Sequence, residues 1–320
     1  MLKITKTDLT DKKILSALDK NARESNSLIA KQLKLSKNVI NYRIHQLEQE
    51  GIIKRYKTVI DFSKINKTII RIYLNLYEFH PEKEGELIEY LNHLKTTTFV
   101  AKTVGNWDLL IYFQVESFLQ FTEQWSLVLD KFRFIIKEYH TGVIIKELFF
   151  RKAYLLGEKQ DTSTIFWERG KSIPQVIDLV DHTILDLLSQ NARLPIIELA
   201  KAVKLGSMAV IYRIKQLQSR QIILGYRAEI DFLKTGYEYY KVDLELEDTK
   251  IIKELVHHCQ AHPHITAITH TIGDNIDFEF DVEIENFEIF LQFMDHLKKL
   301  FPRAIRDYQY LKYLNILKNY

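Results

Sequence analysis

Hydrophobic residues follow a helical period through residues 27–56, SLIAKQLKLSKNVINYRIHQLEQEGIIKRY. Ile40, Ile44 and Leu47 are spaced to form one buried helix face, and Ser36 ahead of them is a suitable N-cap. A shorter apolar stripe precedes this helix, and a pair of isoleucines follows the glycine that ends it. The pattern predicts two helices joined by a short turn and then a strand.

The outward face of the second helix carries amide, phenol and imidazole side chains. Such groups read base edges, because the major groove of DNA admits one helix and presents donors and acceptors to its outer side chains. Cations on the following strand are placed to lie along a phosphate backbone, as the wing of a winged helix-turn-helix does. The residues of this unit that we expect at DNA are Ser36, Lys37, Asn38, Asn41, Tyr42, Arg43 and His45 on the helix and Lys54, Arg55 and Lys57 on the wing.

A second copy of this pattern appears when the chain is shifted by about 170 residues. Residues 42–44 then align with residues 212–214, and residues 60–62 with residues 230–232, in each case without a difference. About four positions in ten are identical across the two helical units, which indicates an internal duplication.

After each helical unit the hydrophobic period changes from helical to alternating. Ile70, Ile72 and Leu74 alternate with polar residues, which predicts a strand with one buried face. The elements that follow are predicted in the order β-α-β-β-α-β, the split pattern of a ferredoxin-like sandwich. The predicted fold class is therefore α+β: a winged helix-turn-helix followed by a ferredoxin-like βαββαβ sandwich, the pair repeated twice in one chain.

This pattern also predicts the boundaries of the units. A stretch without a clear period, rich in glycine and proline, separates the two halves. The predicted boundaries are 1–63 for the first winged helix-turn-helix, 64–153 for the first ferredoxin-like domain, 154–177 for a connector, 178–233 for the second winged helix-turn-helix and 234–320 for the second ferredoxin-like domain.

Composition narrows the class of protein. The chain has 320 residues, of which 46% are hydrophobic and 27% charged, as is ordinary for globular domains. No apolar run approaches the length of a membrane span, and the first residues lack the apolar core of a signal peptide, so we expect a cytoplasmic protein without a membrane partner. The net charge of +3 is unevenly placed, because most of the positive charge lies in the first helical unit.

The order of elements, the stretch AKQLKLSKNVINYRIHQLEQEGIIKRY and the hairpin VGNWDLLI at residues 104–111 together resemble the Lrp/AsnC family of transcriptional regulators, also called leucine-responsive or feast/famine regulators. The resemblance covers nearly the whole chain. It implies an N-terminal unit that binds double-stranded DNA, a ligand-sensing and dimerising ferredoxin-like (RAM) domain, and a response to amino acids or related metabolites. The chain departs from the family pattern in being fused in tandem.

The hairpin that carries this resemblance is the candidate ligand site. Gly105 permits a turn with positive φ, and the amides it exposes, with Asn106, are suited to a carboxylate, while Asp108 is suited to an ammonium. The alternative is that Trp107 packs and Asp108 caps a turn. In the second hairpin the corresponding candidates are Gly273, Asp274 and Asp277, although that hairpin has an extra residue and no aromatic before its last aspartate.

The second recognition helix has lost most of its polar readers, since Asn38 and Asn41 are replaced by Met208 and Ile211. The candidates that remain for DNA there are Tyr212, Arg213 and Lys215. Apolar residues on this outward face are compatible with weak contact to thymine methyl groups or with a protein partner. Arg43 and Arg213 occupy matching positions, and either a phosphate contact or an ion pair within the domain accounts for them.

A histidine-rich segment in the second half is the candidate for a metal. Histidine and cysteine at residues 257–264 are suitable zinc ligands, but the segment lacks two ligand pairs set against each other. We therefore predict neither a metal nor a cofactor.

Two other classes of function remain as alternatives. Siroheme decarboxylases of haem biosynthesis share this family's architecture, sometimes in tandem, and carry histidine, arginine and tyrosine motifs on their central strands. Residues 99–113 contain neither histidine nor arginine, so we expect no enzyme. The other alternative is a co-regulator that does not bind DNA and pairs with another regulator.

The two halves are predicted to pair within one chain as a pseudo-dimer. A connector of about 25 residues spans several tens of ångströms when it is extended, which is enough for the two sandwiches to meet. In that arrangement residues 105–108 lie near the interface between sandwiches. The competing arrangement pairs like halves across two chains, and a further homo-oligomer is compatible with either one.

Overall fold

The computed structural model describes residues 7–77, 81–158, 165–169, 173–273 and 275–319. In the first half the elements are α1 (Leu9–Lys20), α2 (Asn26–Leu33), α3 (Lys37–Gln49), β1 (Ile53–Ile60), β2 (Thr68–Leu76), α4 (Pro81–His93), β3 (Thr97–Gly105), β4 (Leu109–Val115), α5 (Phe118–Phe132), β5 (Ile136–Phe149) and β6 (Ile165–Glu168). In the second half they are α6 (Leu179–Gln190), α7 (Ile196–Val203), α8 (Ser207–Ser219), β7 (Ile223–Ile230), β8 (Glu238–Leu246), α9 (Ile252–Ala261), β9 (Ile265–Ile272), β10 (Phe278–Ile284), α10 (Phe287–Leu300) and β11 (Ile305–Asn319).

The helices of the first unit begin at capping side chains, and the cap that the sequence predicted, Ser36, is one of them. Asp8 caps α1 in a capping box with Asp11, and Ser36 caps α3 by accepting a hydrogen bond from the amide of Val39. The turn before α3 passes through Lys34 with φ of 56°, and the matching turn in the second unit passes through Lys204 with φ of 55°. Both lysines thus occupy the left-handed region, where side chains are disfavoured.

The strand that follows each helix-turn-helix pairs with its counterpart in the other half. β1 and β7 form an antiparallel ladder in which Tyr56 lies opposite Ala228. Hydrogen bonds also connect each helical unit to the strand of the other half. The amide of Ala22 donates to the carbonyl of Tyr226 at 2.9 Å, and the amide of Ala192 donates to the carbonyl of Tyr56 at 2.8 Å. Both units also share one hydrophobic core. The wings are therefore strands of a common ladder.

Among the described residues, the two ferredoxin-like sheets join edge to edge into a closed ring of strands. The ring runs β2, β4, β3, β11, β8, β10, β9 and β5, and it closes because β5 also pairs with β2. The seams between halves are β3 with β11 and β5 with β9. The halves therefore pair within the chain, and the hairpin after β3 lies at one seam.

Helices cover the outside of this barrel. Leu91 on α4 and Trp125 on α5 pack against the outer face of the first sheet, and Leu255 on α9 and Phe290 on α10 pack against the second. Each half thus has its own core outside the barrel, as a split βαββαβ sandwich requires.

The inner face of the barrel differs from the sequence-based expectation. β2 was expected to bury one face only, yet Arg71 and Tyr73 on its other face are 0% and 1% exposed. Lys241, Asp243 and Glu279 are buried in the same interior. Alternation of polar and apolar residues normally marks one solvated face, and here the polar face meets the polar face of the other half.

The segment expected to be an irregular connector contains an ordered strand. β6 pairs with β5, and Trp167 on it is buried. Residues 159–164 and 170–172 of the connector lie outside the described residues. No helix in the described part of the chain is long and apolar enough to cross a membrane.

Candidate nucleic-acid interface and interior cavity

The outward face of α3 presents the side chains that the sequence assigned to DNA. Lys37, Asn38, Asn41, Tyr42 and His45 are all exposed. Ile40, Ile44 and Leu47 on the opposite face are buried and fix the rotation of the helix. Since Ser36 is engaged in the cap, the free polar groups of this face begin at Lys37.

Asn41 is held by a relay of hydrogen bonds from the other helical unit. Arg193 donates to the side-chain carbonyl of Asn26 at 2.5 Å, and the amide nitrogen of Asn26 donates to the carbonyl oxygen of Asn41 at 2.7 Å. The amide nitrogen of Asn41 takes no part in this relay, so its donors remain on the exposed face of α3. Such a donor is suited to acceptors on a base edge.

Arg43 and Arg213 are engaged in ion pairs within their own domains. Arg43 contacts Asp8 and Asp11 at 2.7 and 2.8 Å, and Arg213 contacts Asp178 and Asp181 at 2.8 Å each. The side-chain hydrogen bonds of these aspartates raise the pKa of each arginine. Of the two alternatives from the sequence, the structure therefore has the ion pair and not a free guanidinium for phosphate.

The wing cations also differ from expectation. Lys54 pairs with Asp231 at 3.2 Å and Arg55 pairs with Glu229 at 2.8 Å, so both join β1 to the second half. Lys57 points into a cavity, where burial lowers its pKa to about 8. These cations are therefore oriented by the ladder partner, which the sequence of one unit does not reveal.

The second recognition helix presents a more apolar face. Met208 is 77% exposed and Tyr212 is 64% exposed, whereas Ile211 is half-buried. Lys215 is exposed and is the cation of this face. The asymmetry between the two units is therefore a surface property and leaves the fold unchanged.

The first hairpin is packed against the second half. Gly105 has φ of 124°, and a Cβ there would lie 2.6 Å from the carbonyl oxygen of Tyr310. The amide of Asn106 donates to that carbonyl at 3.2 Å, and the side-chain oxygen of Asn106 accepts from the amide of Tyr310 at 3.3 Å. The hairpin amide expected to receive a ligand carboxylate is thus engaged with β11.

The other two hairpin residues serve the fold as well. Trp107 is buried and stacks on Tyr73 with ring centroids 5.5 Å apart. Asp108 accepts a hydrogen bond from the amide of Leu76 at 2.8 Å, which ends β2. The structure therefore shows the packing of Trp107 and the capping by Asp108 that the alternative described, with one carboxylate oxygen of Asp108 engaged at the end of β2.

The second hairpin repeats this arrangement. Asp277 accepts from the amide of Leu246 at 2.8 Å, and Gly273, with φ of 114°, lies close to the carbonyl of Thr141. Asp274 lies outside the described residues. Asp108 and Asp277 therefore have the same structural role in the two copies.

An ionic cluster that the sequence did not identify fills the barrel interior. Lys241 lies 3.0 Å from Glu279 and 3.6 Å from Asp281, while Arg71 pairs with the same carboxylate of Glu279. Burial alone would raise the pKa of Glu279, but the charges of Arg71 and Lys241 hold it below its ordinary value. Tyr73 donates its hydroxyl to Asp243 at 2.8 Å.

A cavity of about 190 Å³ lies between the ladder and the barrel. Lys57 on β1, Glu147 on β5 and Asp281 on β10 line it together with aromatic rings. Burial raises the pKa of Glu147 to about 7 and also raises that of Asp281. Lys57 was assigned to DNA from the sequence, and the two carboxylates were missed because nothing in a single strand marks an inward-facing charge as buried.

The histidine-rich segment forms no metal site within the described residues. Cys259 is buried among hydrophobic side chains, and burial raises the pKa of its thiol. Burial likewise lowers the pKa of His262 to about 4. His264 contacts the carbonyl of Glu283 through Nδ1 at 2.7 Å.

Comparison with known proteins identifies the helical units. A winged helix-turn-helix DNA-binding family matches residues 7–54, and the AsnC-type helix-turn-helix domain matches residues 177–218. The transcriptional regulator LysM of Saccharolobus solfataricus is 35% identical over 104 residues, which are 32% of this chain and 70% of LysM. An HTH-type transcriptional regulator of Pyrococcus furiosus is 31% identical over 107 residues, which are 32% of this chain and 70% of that protein.

The chain belongs to the Lrp/AsnC family of DNA-binding transcriptional regulators. Within the family it carries both units twice, and a tandem arrangement of this fold also occurs in a solved structure. The siroheme decarboxylase NirDL superposes with a TM-score of 0.63 over 97% of this chain and 92% of NirDL. The two sequences are 12% identical, so the likeness is one of fold alone.

Proposed function

We propose that this Lrp/AsnC family member is a sequence-specific reader of double-stranded DNA in which the first helical unit makes most of the base contacts. The observation that supports it is the contrast between the two recognition helices. α3 exposes Asn38, Asn41 and His45, whereas the matching positions of α8 carry Met208, Ile211 and Lys215. Hydrogen-bonding side chains give base discrimination that apolar side chains do not.

We further propose that one chain forms by itself, as a pseudo-dimer, the arrangement that other regulators form by pairing two chains. Helix-turn-helix proteins use two reading units to span half-sites about one helical turn apart. The β1–β7 ladder and the barrel hold both units of this chain, which supports a DNA site with one strongly specified half. Assembly of several chains remains compatible with this unit.

The roles of the domains follow from the same proposal. We assign DNA contact to residues 1–63 and 178–233 and effector sensing to residues 64–153 and 234–320, with residues 154–177 as the connector. The effector that the family resemblance supports is an amino acid or a related metabolite, and the compartment is the cytoplasm, where the DNA of such a regulator lies. The hairpin residues 105–108 are engaged in the fold, so we place the effector elsewhere.

We also propose that the chain is not an enzyme, despite its fold likeness to NirDL. β3 and β4 carry no histidine or arginine. Mixing the purified chain with siroheme should leave the absorption spectrum of siroheme unshifted.

Fluorescence anisotropy with a labelled random duplex, over a series of salt concentrations, tests DNA binding itself. We expect binding whose logarithmic affinity falls linearly with the logarithm of the salt concentration. Lys37→Ala should reduce that slope by about 0.9, the value for one phosphate contact. Absence of binding at low salt would favour the co-regulator alternative.

A further inference from the structure

We propose that the cavity between the β1–β7 ladder and the barrel binds a small zwitterion, one with an ammonium, a carboxylate and an apolar or aromatic body. The proposal rests on the proposed function, because it supplies the site for the metabolite that modulates DNA binding. It places that site at residues other than the hairpin candidates.

Most charges that line the cavity are paired within the protein. Arg227 holds Asp19 at 2.6 Å, Lys152 holds Glu283, and Glu229 is held by Arg55 at 2.8 Å. These pairs connect the first half to the second. They need no ligand.

Lys57 is the exception among the cations. Within the described residues its ammonium has no ion pair and no hydrogen-bond partner, although it lines the cavity. Its side chain is half-buried, and opposite charges attract each other more strongly there than in bulk water. A carboxylate that enters the cavity would therefore neutralise it.

Glu147 and Asp281 provide the opposite charge. Glu147 accepts one hydrogen bond, from the indole of Trp167 at 3.0 Å. Asp281 accepts the hydroxyl of Tyr239 at 3.2 Å through Oδ2, while its Oδ1 has no hydrogen-bond partner and lies 3.6 Å from Lys241. The two carboxylates thus retain acceptor oxygens on the barrel side, which suits an ammonium.

The remaining walls are aromatic. The ring of Tyr239 stacks on Tyr313 at 4.3 Å between centroids, and Phe99 contacts Tyr112 at 5.0 Å. Ring faces attract an ammonium and bury an apolar body. A cavity of about 150 Å³ accommodates a benzene ring, so about 190 Å³ suffices for a ring or a branched chain with its charged groups at the rim.

The position of the cavity explains how its occupant would act on DNA. β1 follows α3 after a short turn and β7 follows α8 in the same way, so both ladder strands continue from recognition helices. The barrel forms the opposite wall. A ligand that touches both walls favours one placement of the ladder on the barrel, and through it one spacing of the reading units.

The test uses the full chain and two matched sets of probes. The first set is L-phenylalanine, 2-phenylethylamine and 3-phenylpropionate, and the second is L-leucine, isopentylamine and 4-methylpentanoate. Within a set the carbon body is the same, and the members carry both charged groups, the ammonium only or the carboxylate only. Titration calorimetry at pH 7 should find at least one zwitterion that binds at least tenfold more tightly than both of its truncated analogues, because each analogue leaves a buried charge unpaired.

Variants assign the charged groups. Lys57→Met should weaken binding of the zwitterion and of its carboxylate analogue at least fivefold and leave the amine unchanged, whereas Glu147→Gln should weaken the zwitterion and the amine and leave the carboxylate unchanged. Lys54→Met is the matched control, since Lys54 lies on the same strand and pairs with Asp231 outside the cavity. The comparison of probes uses the unsubstituted chain, so it tests the proposal even if a variant does not fold.

Each of three results would overturn the proposal: no probe binds at 10 mM, the members of both sets bind alike, or Lys57→Met affects amine and zwitterion equally. DNA affinity without a ligand is measured separately. If the chain binds DNA and none of the probes, this inference fails and the proposed function stands. If a zwitterion binds and DNA does not, the proposed function fails and the site remains.

Discussion

The guanidinium of Arg71 and the carboxylate of Glu279 form an ion pair across the interior of the barrel, with side chains that are 0% and 1% exposed. Arg71 lies on β2 of the first half and Glu279 on β10 of the second. The position in the first half that matches Glu279 is Leu110 on β4. If two copies of the first half paired with each other, two arginines would face each other without this glutamate. The ion pair therefore favours pairing of the first half with the second.

Removal of the acid is expected to destabilise the chain strongly. Glu279→Gln leaves both Arg71 and Lys241 without this partner, and breaking a buried pair costs about 3–5 kcal/mol in the free energy of unfolding. Arg71→Met added to Glu279→Gln should recover part of the loss because it removes a buried charge that has lost this carboxylate. Urea denaturation measures both.

The exposed pair of Arg306 with Glu247 serves as the control. Glu247→Gln should leave the urea midpoint unchanged, because exposed ion pairs add little. Equal effects of Glu279→Gln and Glu247→Gln would show that the buried pair does not hold the halves together.

The turn lysines give a prediction about backbone conformation. Lys34 and Lys204 have φ of 56° and 55°, a region that glycine occupies without strain. Lys34→Gly and Lys204→Gly should each raise the free energy of unfolding by roughly 0.5–1 kcal/mol, which thermal or urea unfolding measures. Lys34→Ala should give no gain, since alanine keeps the Cβ, and a gain equal to that of glycine would refute the explanation.

The wing cations are predicted to act on stability more than on DNA affinity. Lys54→Ala with Arg55→Ala leaves Asp231 and Glu229 without their partners and should lower the free energy of unfolding by about 1–3 kcal/mol. The salt dependence of DNA binding should change by less than one unit of log-log slope. A decrease of the slope by about two units, at about 0.9 for each phosphate contact, would show that both cations contact phosphates of DNA.

Glu147 gives a pH dependence with a defined sign. Burial raises the pKa of this carboxyl from 4.5 to about 7, so between these values the folded chain keeps a proton that the unfolded chain has released. The folded state therefore loses stability as pH rises from 4.5 to about 7 and keeps that loss above it.

Glu147→Gln removes this ionisation. Relative to the parent, the variant should gain stability at pH 8 compared with pH 4.5, as measured by urea midpoints at both values. Glu138→Gln changes an exposed glutamate on the same strand and should show the same difference from the parent at both pH values. A pH-independent effect of Glu147→Gln would mean that Glu147 ionises normally in the folded chain.

The sequence was sufficient for elements whose pattern is local. Both halves have the predicted order of elements, and Ser36 caps α3, because helical spacing, alternation and caps are set by near neighbours. The inner face of β2 was misjudged because Arg71 has the appearance of a solvated residue. Its partner Glu279 is 208 positions away, and no local pattern links the two.

The candidate site residues likewise fall into those that a local pattern predicts and those that depend on distant parts of the chain. The exposed face of α3 follows from its buried face, so Asn38 and Asn41 could be assigned from helical geometry alone. The orientation of Lys54 and Lys57 could not, because it depends on the pairing of β1 with β7. The cavity residue Glu147 was missed for that reason too, since the cavity is lined by strands from both halves together with the ladder.

Selection of bound duplexes from a random pool by the full chain tests whether the first helical unit reads DNA. We expect an enriched motif with one strongly specified half-site. That preference should relax by about 1–3 kcal/mol at single base pairs in Asn38→Ala or Asn41→Ala and persist in Met208→Ala. Recovery of no motif, or of a motif that Met208→Ala removes and Asn41→Ala leaves intact, would contradict the assignment of DNA reading to the first helical unit.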